Sequence, residues 1–416
     1  MGSPPDSGIE TIKEVMHVFD YIVIGAGSAG CVMAARLAEA HSVLLIEAGR
    51  ANPAWDFRLH MPAALSEVLT STRYNWAFET EPEPFLGQRN LYCPRGKVVG
   101  GSSSINGMIF VRGHAEDFNR WSEVYGASGW SYQDVLPFFK ASETKAGGDP
   151  DYRGHTGPLK ITNGDTSSPL CQAWLEAGES LGFGRTPDFN GETQEGFGPF
   201  DRTVADGLRQ SVARAYLSPK NNLGLSGLTI LTQAEVQHIA FDGDRAAGVQ
   251  VLVDGRLKSF QASREIILCA GAIKSPQVLM RSGIGSESAL KASGIECLAP
   301  RDEVGQNLQD HLEVYVQAAC PKPVSLYPST RGLRKLAVGA QWYLTKRGDG
   351  ATNHFHTGAF LRSGLDYGYP DLQFHFLPVA MDYDGKDSYR GHGFQVHVGP
   401  MKPTSRGSIT LNPKDP

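Results

Sequence analysis

The sequence predicts an α/β fold combined with an α+β fold, in which a domain built on a parallel sheet is interleaved with a domain built on an antiparallel sheet. Near the N-terminus, a strand pattern, a helix pattern and a second strand pattern follow one another within about thirty residues. Farther along, shorter patterns alternate apolar and polar residues and are separated by Asp-Gly turns. The first arrangement is typical of parallel strands joined by a crossover helix, and the second of antiparallel hairpins.

The first strand pattern is the run FDYIVI (Phe19–Ile24), which is continuous and β-branched, as buried parallel strands are. From Ser28 onwards, small and apolar residues recur at helical spacing, and SVLLIEAG then supplies a second buried strand. Antiparallel hairpins are predicted over residues 228–256, and REIILCAGAI predicts a further buried strand. After His311, the patterns DLQFHFLPVA and GFQVHVGPM predict strands of a separate sheet.

Three glycines, Gly25, Gly27 and Gly30, form GxGxxG between the first strand and the first helix. In a Rossmann-like fold the first permits the tight turn, the second lets the backbone approach a pyrophosphate, and the third lets helix and strand pack closely. Glu47 ends the second strand, 17 residues after Gly30, where its carboxylate can accept hydrogen bonds from both ribose hydroxyls of an adenosine. The pattern predicts a dinucleotide site and leaves FAD and NAD equally open.

The chain has 416 residues, of which 41% are hydrophobic, and a formal net charge of -5. This length favours two domains, and the low charge argues against a nucleic-acid partner. No stretch has the apolar length of a transmembrane helix, and residues 1–20 lack the apolar core of a secretory signal. The six cysteines show no metal-ligand spacing. We therefore expect a cytoplasmic protein with no integral membrane segment and no metal, and leave a peripheral membrane contact open.

Two long segments carry a resemblance to a known family. PRGKVVGGSSSINGMIFVRG (Pro94–Gly113) and GAIKSPQVLMRSGIG (Gly271–Gly285) resemble the two signatures of glucose-methanol-choline (GMC) oxidoreductases. Asp206–Leu217 and Val304–His311 are similar to further blocks of that family, most of all to its choline dehydrogenase-like members. The resemblance implies FAD-dependent oxidation of an alcohol, expected to be primary, to an aldehyde, with hydride transfer from the alcohol carbon to flavin N5.

The resemblance also implies a Rossmann-like FAD-binding domain interleaved with a substrate-binding domain on an antiparallel sheet. Residues 18–160 and 225–311 are assigned to the discontinuous FAD-binding domain. Residues 161–224 and 312–416 are assigned to the substrate-binding domain, which is incomplete at the C-terminus, and residues 1–17 to an N-terminal tail.

The same likeness extends the cofactor site beyond the glycine turn. The small residues of the GGSSS loop let the backbone lie against a flat ring and donate to flavin N and O atoms. In relatives, Val236 lies in the strand that passes the adenine, and Asn307, Asp310 and His311 lie in a block near the far side of the flavin. Some members have a covalently linked histidine at the position of Ile105; an isoleucine cannot form that link, so the FAD is expected to be non-covalent. The predicted cofactor-binding residues are Gly25, Gly27, Ser28, Ala29, Gly30, Glu47, Ala48, Arg95, Val99, Gly101, Ser102, Asn106, Gly107, Val236, Ala270 and Gly271.

The segments ATNHFHTGAFLRS and DLQFHFLPVAMDYDG resemble the corresponding parts of choline dehydrogenases. Where choline-specific relatives place a glutamate against the quaternary ammonium, this chain has His356. An imidazole attracts a fixed cation poorly, so a neutral or anionic primary alcohol is expected, with His356, Phe355 and His375 in the substrate pocket. Relatives that catalyse light-driven fatty-acid decarboxylation carry a cysteine and an arginine where this chain has Phe355 and His375, and both differences argue against that activity.

In the family, a histidine takes the hydroxyl proton and is paired with a second His or Asn. The resemblance places this histidine beyond Pro416, so the catalytic residue is otherwise unknown. A truncated enzyme is expected rather than a natural short protein that only binds flavin, because the chain stops within a strand-like run. The expected partners are a small-molecule alcohol and an electron acceptor, which is a quinone or another carrier, or oxygen. The choline dehydrogenase likeness favours a dehydrogenase over an oxidase.

Overall fold

The computed structural model describes residues 17–218, 225–364, 367–381 and 389–414. The strands in these residues are β1 (His17–Ile24), β2 (Val43–Ile46), β3 (Phe78–Glu79), β4 (Tyr92–Cys93), β5 (Ile109–Phe110), β6 (Glu143–Lys145), β7 (Leu159–Asn163), β8 (Gly196–Pro199), β9 (Asp201–Arg202), β10 (Val204–Ala205), β11 (Leu208–Arg209), β12 (Leu228–Leu231), β13 (Ala234–Asp242), β14 (Arg245–Val253), β15 (Arg256–Leu268), β16 (Ile284–Gly285), β17 (Ala299–Pro300), β18 (Val314–Ala319), β19 (Thr357–Leu361), β20 (Leu372–Leu377) and β21 (Gly393–Pro400). The α-helices are α1 (Ser28–Leu37), α2 (Phe57–His60), α3 (Leu65–Leu69), α4 (Ala115–Glu123), α5 (Tyr132–Ser142), α6 (Pro169–Ser180), α7 (Val212–Tyr216), α8 (Gly271–Arg281), α9 (Glu287–Ala292) and α10 (Gly332–Thr345).

The six-stranded sheet has the order β12-β2-β1-β15-β14-β13. Its first four strands run parallel, and β13, β14 and β15 form an antiparallel meander. The predicted hairpins are confirmed, and one of them turns at Asp254-Gly255. β15 pairs with β14 along its first half and with β1 along its second, so the last hairpin strand and the buried strand REIIL are one continuous element.

Apolar side chains cover both faces of this sheet. Ile22 and Leu44 belong to the core on one face, whereas Val23 and Leu45 pack with Ala34 of α1 on the other. Successive residues of a strand point to opposite faces, so a strand that is buried on both sides needs an unbroken apolar run. This explains the continuous pattern of the first two strands.

A five-stranded antiparallel sheet has the order β18-β21-β20-β19-β8. On one of its faces, Phe374 and Phe376 pack against Trp174 of α6. The opposite face carries the polar residues described below. The predicted combination of a Rossmann-like α/β part with an antiparallel α+β part is confirmed.

A four-stranded sheet, β5-β9-β7-β6, joins segments that the sequence assigns to different domains. β5 and β6 fall in the range predicted for FAD binding, and β9 in the range predicted for substrate binding. The domain ranges stay a prediction. Most of the predicted N-terminal tail lies outside the described residues, and its last residue, His17, begins β1.

Buried charges connect this sheet to its surroundings. The side chain of Arg153 is fully buried, and its guanidinium donates to Glu143 at 2.8 Å, to Asp188 at 2.7 Å and to Asp201 at 2.5 Å. Lys145 forms a further ion pair with Asp201. Glu143, Asp188 and Asp201 therefore each have a cationic partner, which offsets the cost of burying their charge.

Candidate active site

Of the three glycines between β1 and α1, Gly25 and Gly30 occupy positions with no room for a side chain, whereas Gly27 faces open space. Gly25 has a φ of 96°, and a Cβ atom there would stand 2.6 Å from the carbonyl oxygen of Cys269. A Cβ at Gly30 would stand 1.8 Å from the carbonyl oxygen of Gly25. At Gly27, by contrast, no heavy atom of the described residues lies within 4 Å of a Cβ. The turn therefore packs tightly on one side and leaves its backbone open on the other.

The Glu47 carboxylate faces this turn from the end of β2. It accepts hydrogen bonds from the backbone N–H groups of Ala26, at 3.0 Å, and Gly49, at 2.8 Å. Burial raises the pKa of Glu47 to about 7, against the opposing effect of these two bonds and of Lys97. The carboxylate is thus fixed in position, and its charged form is costly unless further donors reach it.

The Gly100–Ser104 loop packs against the glycine turn. The N–H of Gly100 donates to the carbonyl oxygen of Ala26 at 2.7 Å. Gly101 has a φ of 53°, and a Cβ there would stand 2.6 Å from the Cα of Gly27. The two backbones approach so closely that only glycine fits between them.

An open cleft of about 540 Å³ borders both loops, which is within the range of small-molecule sites. Like Gly27, Gly271 at the start of α8 has no described heavy atom within 4 Å of a Cβ position. The open backbone at these two glycines and the buried acceptor Glu47 fit a dinucleotide. The predicted cofactor residues that line the cleft are Gly25, Gly27, Ser28, Ala29, Glu47, Ala48, Arg95, Gly101, Ser102, Val236, Ala270 and Gly271.

Two predicted cofactor residues support the cleft from behind and do not line it. Gly30 packs on Gly25, as described above. Val99 is 7% exposed, and its side chain belongs to the core between α1 and the parallel sheet. Its carbonyl oxygen accepts hydrogen bonds from Ser104 at 3.0 Å and Asn52 at 3.3 Å. Both residues hold the loops that form the cleft wall.

The predicted residues Asn106 and Gly107 lie outside this cleft, on the way to the antiparallel sheet. Arg209 donates to the carbonyl oxygen of Asn106 at 2.6 Å and to its side-chain oxygen at 2.9 Å. Asn353 donates to the carbonyl oxygen of Gly107 at 2.8 Å. A Cβ at Gly107 would stand 3.8 Å from the ring of Phe355. This dipeptide therefore connects the cofactor loop to the predicted substrate pocket.

Sequence reasoning missed an aromatic and cationic wall of the cleft. The ammonium groups of Lys97 and Lys274 lie 4.2 and 4.3 Å from the centroid of the Trp76 ring, and Trp76 and Lys274 line the cleft. Lys274 also pairs with Glu235 at 2.9 Å. These residues come from separate elements, so no local pattern could have grouped them.

The polar face of the five-stranded sheet brings together Glu313, His375 and His397. Strand register aligns Tyr315 with His397 and His397 with His375, and Glu313 directly precedes β18. The Nδ1 atoms of His375 and His397 lie 3.3 and 3.5 Å from the Glu313 carboxylate oxygens. The ring of Phe355 lies 6.1 Å from that of His375 and 6.0 Å from that of His397.

The Glu313 carboxylate is held in its charged form. Partial burial acts to raise its pKa, but the hydrogen bonds from His375 and His397 outweigh that effect and keep the pKa well below its usual range. The side chain is 31% exposed. Neither Glu313 nor His397 was among the predicted pocket residues. The alternation of polar residues along β18, β20 and β21 is the only signal that could have indicated them.

Phe355 and His375, two of the predicted pocket residues, thus lie together, whereas His356 is occupied elsewhere. Its Nδ1 accepts a hydrogen bond from the N–H of Asp165 at 2.9 Å, and its Nε2 lies 3.2 Å from the hydroxyl of Thr352. Burial, with a smaller contribution from Arg202, lowers the pKa of His356 to about 3. The ring is therefore neutral and joins the start of β19 to the segment after β7.

The block after α9 lies at the surface. Asp310 is 3.9 Å from the Arg95 guanidinium, and both side chains are largely exposed. Asn307 donates to Glu303 at 2.8 Å, and His311 is exposed.

A family model described as GMC oxidoreductase matches residues 19–313. The chain belongs to this family. The GMC protein is 50% identical over 400 residues to the oxygen-dependent choline dehydrogenase of Brucella anthropi. The aligned residues cover 95% of this chain and 72% of the relative. It is 48% identical over 404 residues to the protein of the same name from Escherichia coli O139:H28, with 96% and 72% covered.

Among solved structures, the GMC protein resembles pyridoxine 4-oxidase from Mesorbium loti, with a TM-score of 0.82, 32% identity, and 94% of this chain and 73% of the other covered. It also resembles formate oxidase from Aspergillus oryzae, with a TM-score of 0.87, 25% identity, and 95% and 75% covered. The predicted family, the FAD cofactor and the reaction class are confirmed: the protein is an FAD-dependent oxidoreductase acting on CH–OH donors. A small-molecule alcohol and an electron acceptor are its partners. Among the described residues, no helix is both long and apolar enough to span a bilayer.

Proposed function

We propose that this GMC oxidoreductase oxidises a small primary alcohol that carries a fixed positive charge, as choline does. The Glu313 carboxylate carries the proposal. No lysine or arginine of the described residues pairs with it, and its partners there are the Nδ1 atoms of His375 and His397. The rings of Tyr315 and Phe355 pack on His397 beside it, at 4.0 and 6.0 Å. A carboxylate within aromatic surroundings is a suitable site for a quaternary ammonium group.

The identity of about half of all residues to two oxygen-dependent choline dehydrogenases supports the same substrate class. The expectation of a neutral or anionic alcohol rested on His356 standing where those relatives have a glutamate. Both ring nitrogens of His356 are engaged, one with the backbone N–H of Asp165 and the other with the hydroxyl of Thr352, and not with Glu313. The charge of the pocket therefore depends on Glu313, and a cationic alcohol is favoured over a neutral one.

For the cofactor, we propose that the cleft residues hold FAD without a covalent bond. The first N–H groups of α1, at Ser28 and Ala29, face the cleft where a helix N-terminus attracts phosphate. Glu47 would accept hydrogen bonds from the ribose hydroxyls, which would add donors to those that Ala26 and Gly49 already give its buried charge. Bound FAD supplies the hydride acceptor.

On the substrate side, the residues of this chain orient the alcohol. Glu313 anchors the cationic end, and Phe355 lies between that anchor and Gly107. The hydroxyl end is thereby directed towards the Asn106-Gly107 segment of the cofactor loop.

The test compares choline with its uncharged isostere, in which a tert-butyl group replaces the trimethylammonium group. We expect the wild-type enzyme to favour choline in kcat/KM and Glu313→Gln to remove most of that preference. An ion pair that is partly screened by solvent contributes roughly 2 kcal/mol, which corresponds to about thirtyfold. The same assay, run under nitrogen with an artificial acceptor and then with oxygen alone, assigns the electron acceptor.

The matched control is Glu287→Gln, which removes a carboxylate from the exposed first turn of α9. It should leave the ratio of the two alcohols unchanged. A wild-type enzyme without preference for choline, or a Glu313→Gln enzyme that retains the full preference, would overturn the proposed substrate class.

A further inference from the structure

A buried amide fixes the orientation of His397. Gln395 precedes His397 by two residues on β21, so both side chains lie on the same face of the sheet, and Gln395 is 2% exposed. Its Oε1 atom accepts from the backbone N–H of Met381 at 2.7 Å and from Nε2 of Gln317 at 3.0 Å. Its own Nε2 atom lies 2.6 Å from Nε2 of His397.

These contacts determine which ring nitrogen carries the proton. A backbone N–H can only donate, so the atom of Gln395 that faces Met381 must be the oxygen. The amide nitrogen then faces His397 and donates to it, which makes Nε2 of His397 the acceptor. The proton of the neutral ring must be on Nδ1, which faces the Glu313 carboxylate at 3.5 Å.

We propose that Gln395 is a positioning residue that keeps His397 neutral and thereby reserves the charge of Glu313 for the cation of the substrate. This inference rests on the proposed function. A second proton on His397 would sit on Nε2, where it would meet the N–H group of Gln395. The amide therefore opposes formation of an imidazolium within the pocket.

The other groups that face His397 do not oppose its protonation as Gln395 does. They are Glu313 before β18, Tyr315 on β18, which stacks on the ring at 4.0 Å, and His375 on β20. A carboxylate between two imidazoles would ordinarily favour a proton on one of them. The resulting internal ion pair would compete with a cationic substrate for Glu313.

The proton on Nδ1 of His397 also argues against a metal ion bound by Glu313, His375 and His397. Glu313, His375 and His397 could each offer one ligand atom, and these atoms lie within 4.8 Å of one another. A metal would need the lone pair of Nδ1 of His397, which in this arrangement carries hydrogen. The prediction that the protein has no metal stays a prediction.

Gln395→Glu tests the inference with a nearly isosteric change. A glutamate can still accept from Met381 and Gln317, but its second oxygen can only accept a hydrogen bond, so it favours a proton on Nε2 of His397 and therefore the imidazolium. In the FAD-loaded enzyme, we expect calorimetric titration to show tetramethylammonium affinity lowered about tenfold. The KM of the tert-butyl isostere should be unchanged, because that alcohol has no charge for Glu313 to bind.

Gln373→Glu is the matched control, since it adds the same charge on the same face of the sheet. Gln373 pairs in register with Gly399, and among the described contacts it has no hydrogen bond to His397. We expect no loss of tetramethylammonium affinity in this variant. If Gln395→Glu does not fold, Gln317→Leu replaces it, since Gln317 is exposed and its loss removes one of the two donors that hold the oxygen of Gln395, leaving only the N–H of Met381. A smaller loss of cation affinity is then expected.

The outcomes separate the two proposals. If Glu313→Gln weakens tetramethylammonium binding but Gln395→Glu binds it as tightly as the wild type, the role of Gln395 is refuted and the substrate class stands. If the wild type binds the cation no better than Glu313→Gln does, the proposed substrate class fails, and the inference fails with it. An equal loss for tetramethylammonium and for the tert-butyl isostere would show that Gln395 acts only on the shape of the pocket.

Discussion

Replacement of Glu47 by glutamine should remove a pH dependence from the stability of the flavin-free protein. The carboxylate is 6% exposed, and burial raises its pKa from 4.5 to about 7. That difference corresponds to roughly 3 kcal/mol of disfavoured ionisation. Because the folded-state pKa is raised, the folded protein binds more protons than the unfolded chain between these two values. Stability is therefore expected to fall as the pH rises from about 4.5 to about 7.

Chemical denaturation of the flavin-free protein at several pH values within this window measures the effect. The free energy of unfolding of the wild type should fall by up to roughly 3 kcal/mol more than that of Glu47→Gln. Glu39→Gln, which removes an exposed carboxylate paired with Arg36, should follow the wild type. If the curves of the wild type and Glu47→Gln run parallel, the buried charge does not carry the cost inferred here.

The same substitution should weaken FAD binding above neutral pH. An ionised Glu47 can accept from two ribose hydroxyls in addition to the N–H groups of Ala26 and Gly49, whereas glutamine has one acceptor oxygen. Loss of a charge-assisted contact costs roughly 1–3 kcal/mol, which flavin fluorescence titration would detect as weaker binding. Equal FAD affinity in both proteins would show that the carboxylate does not reach the ribose.

Three further results are expected. Gly27→Val should abolish FAD binding in a fluorescence titration. It should not change thermal unfolding of the flavin-free protein, because no described heavy atom lies within 4 Å of its Cβ. Unfolding at a lower temperature would contradict this. Acid precipitation should leave the flavin in the supernatant, since Ile105 cannot bond to it, and a yellow precipitate would refute the prediction. Arg153→Met should lower the free energy of unfolding by roughly 3 kcal/mol in chemical denaturation, because it removes a buried cation and leaves Glu143 paired only with Arg112 and Asp201 only with Lys145; a loss below about 1 kcal/mol would disprove that role.

The glycine turn could be predicted because its parts follow one another in the chain. β1, Gly25, α1 and β2 are consecutive, so their spacing alone indicates the turn and the carboxylate of Glu47 beside it. Val99 shows where such reasoning stops. The family motif includes it, but its side chain packs in the core, and a motif does not distinguish a residue that lines a cleft from one that supports the wall.

The proposed substrate pocket could not be assembled from the sequence in the same way. Glu313, His375 and His397 lie in separate parts of the chain and meet only because β18, β21 and β20 are neighbours in one register. Alternation along each strand indicates which residues share a face, but it does not indicate which strands pair or how they are aligned. His356 is next to Phe355 in sequence, yet its ring points to Asp165. Adjacent positions in the sequence therefore did not indicate which way each ring faces.

The Asn106-Gly107 dipeptide connects the cofactor cleft to the proposed substrate pocket, so that both sites can act on one bound alcohol. Arg209, which is 1% exposed, donates to Asn106 from one side, and Asn353 donates to Gly107 from the other. Burial lowers the pKa of Arg209 to about 9, so its charge is costly and these carbonyl contacts are needed to hold it. Asn353 precedes Phe355 by two residues, so the bond that holds the cofactor loop also places the ring at the substrate pocket. Hydrogen bonds to two adjacent peptide groups therefore fix the end of the cofactor loop against the segment that carries Phe355.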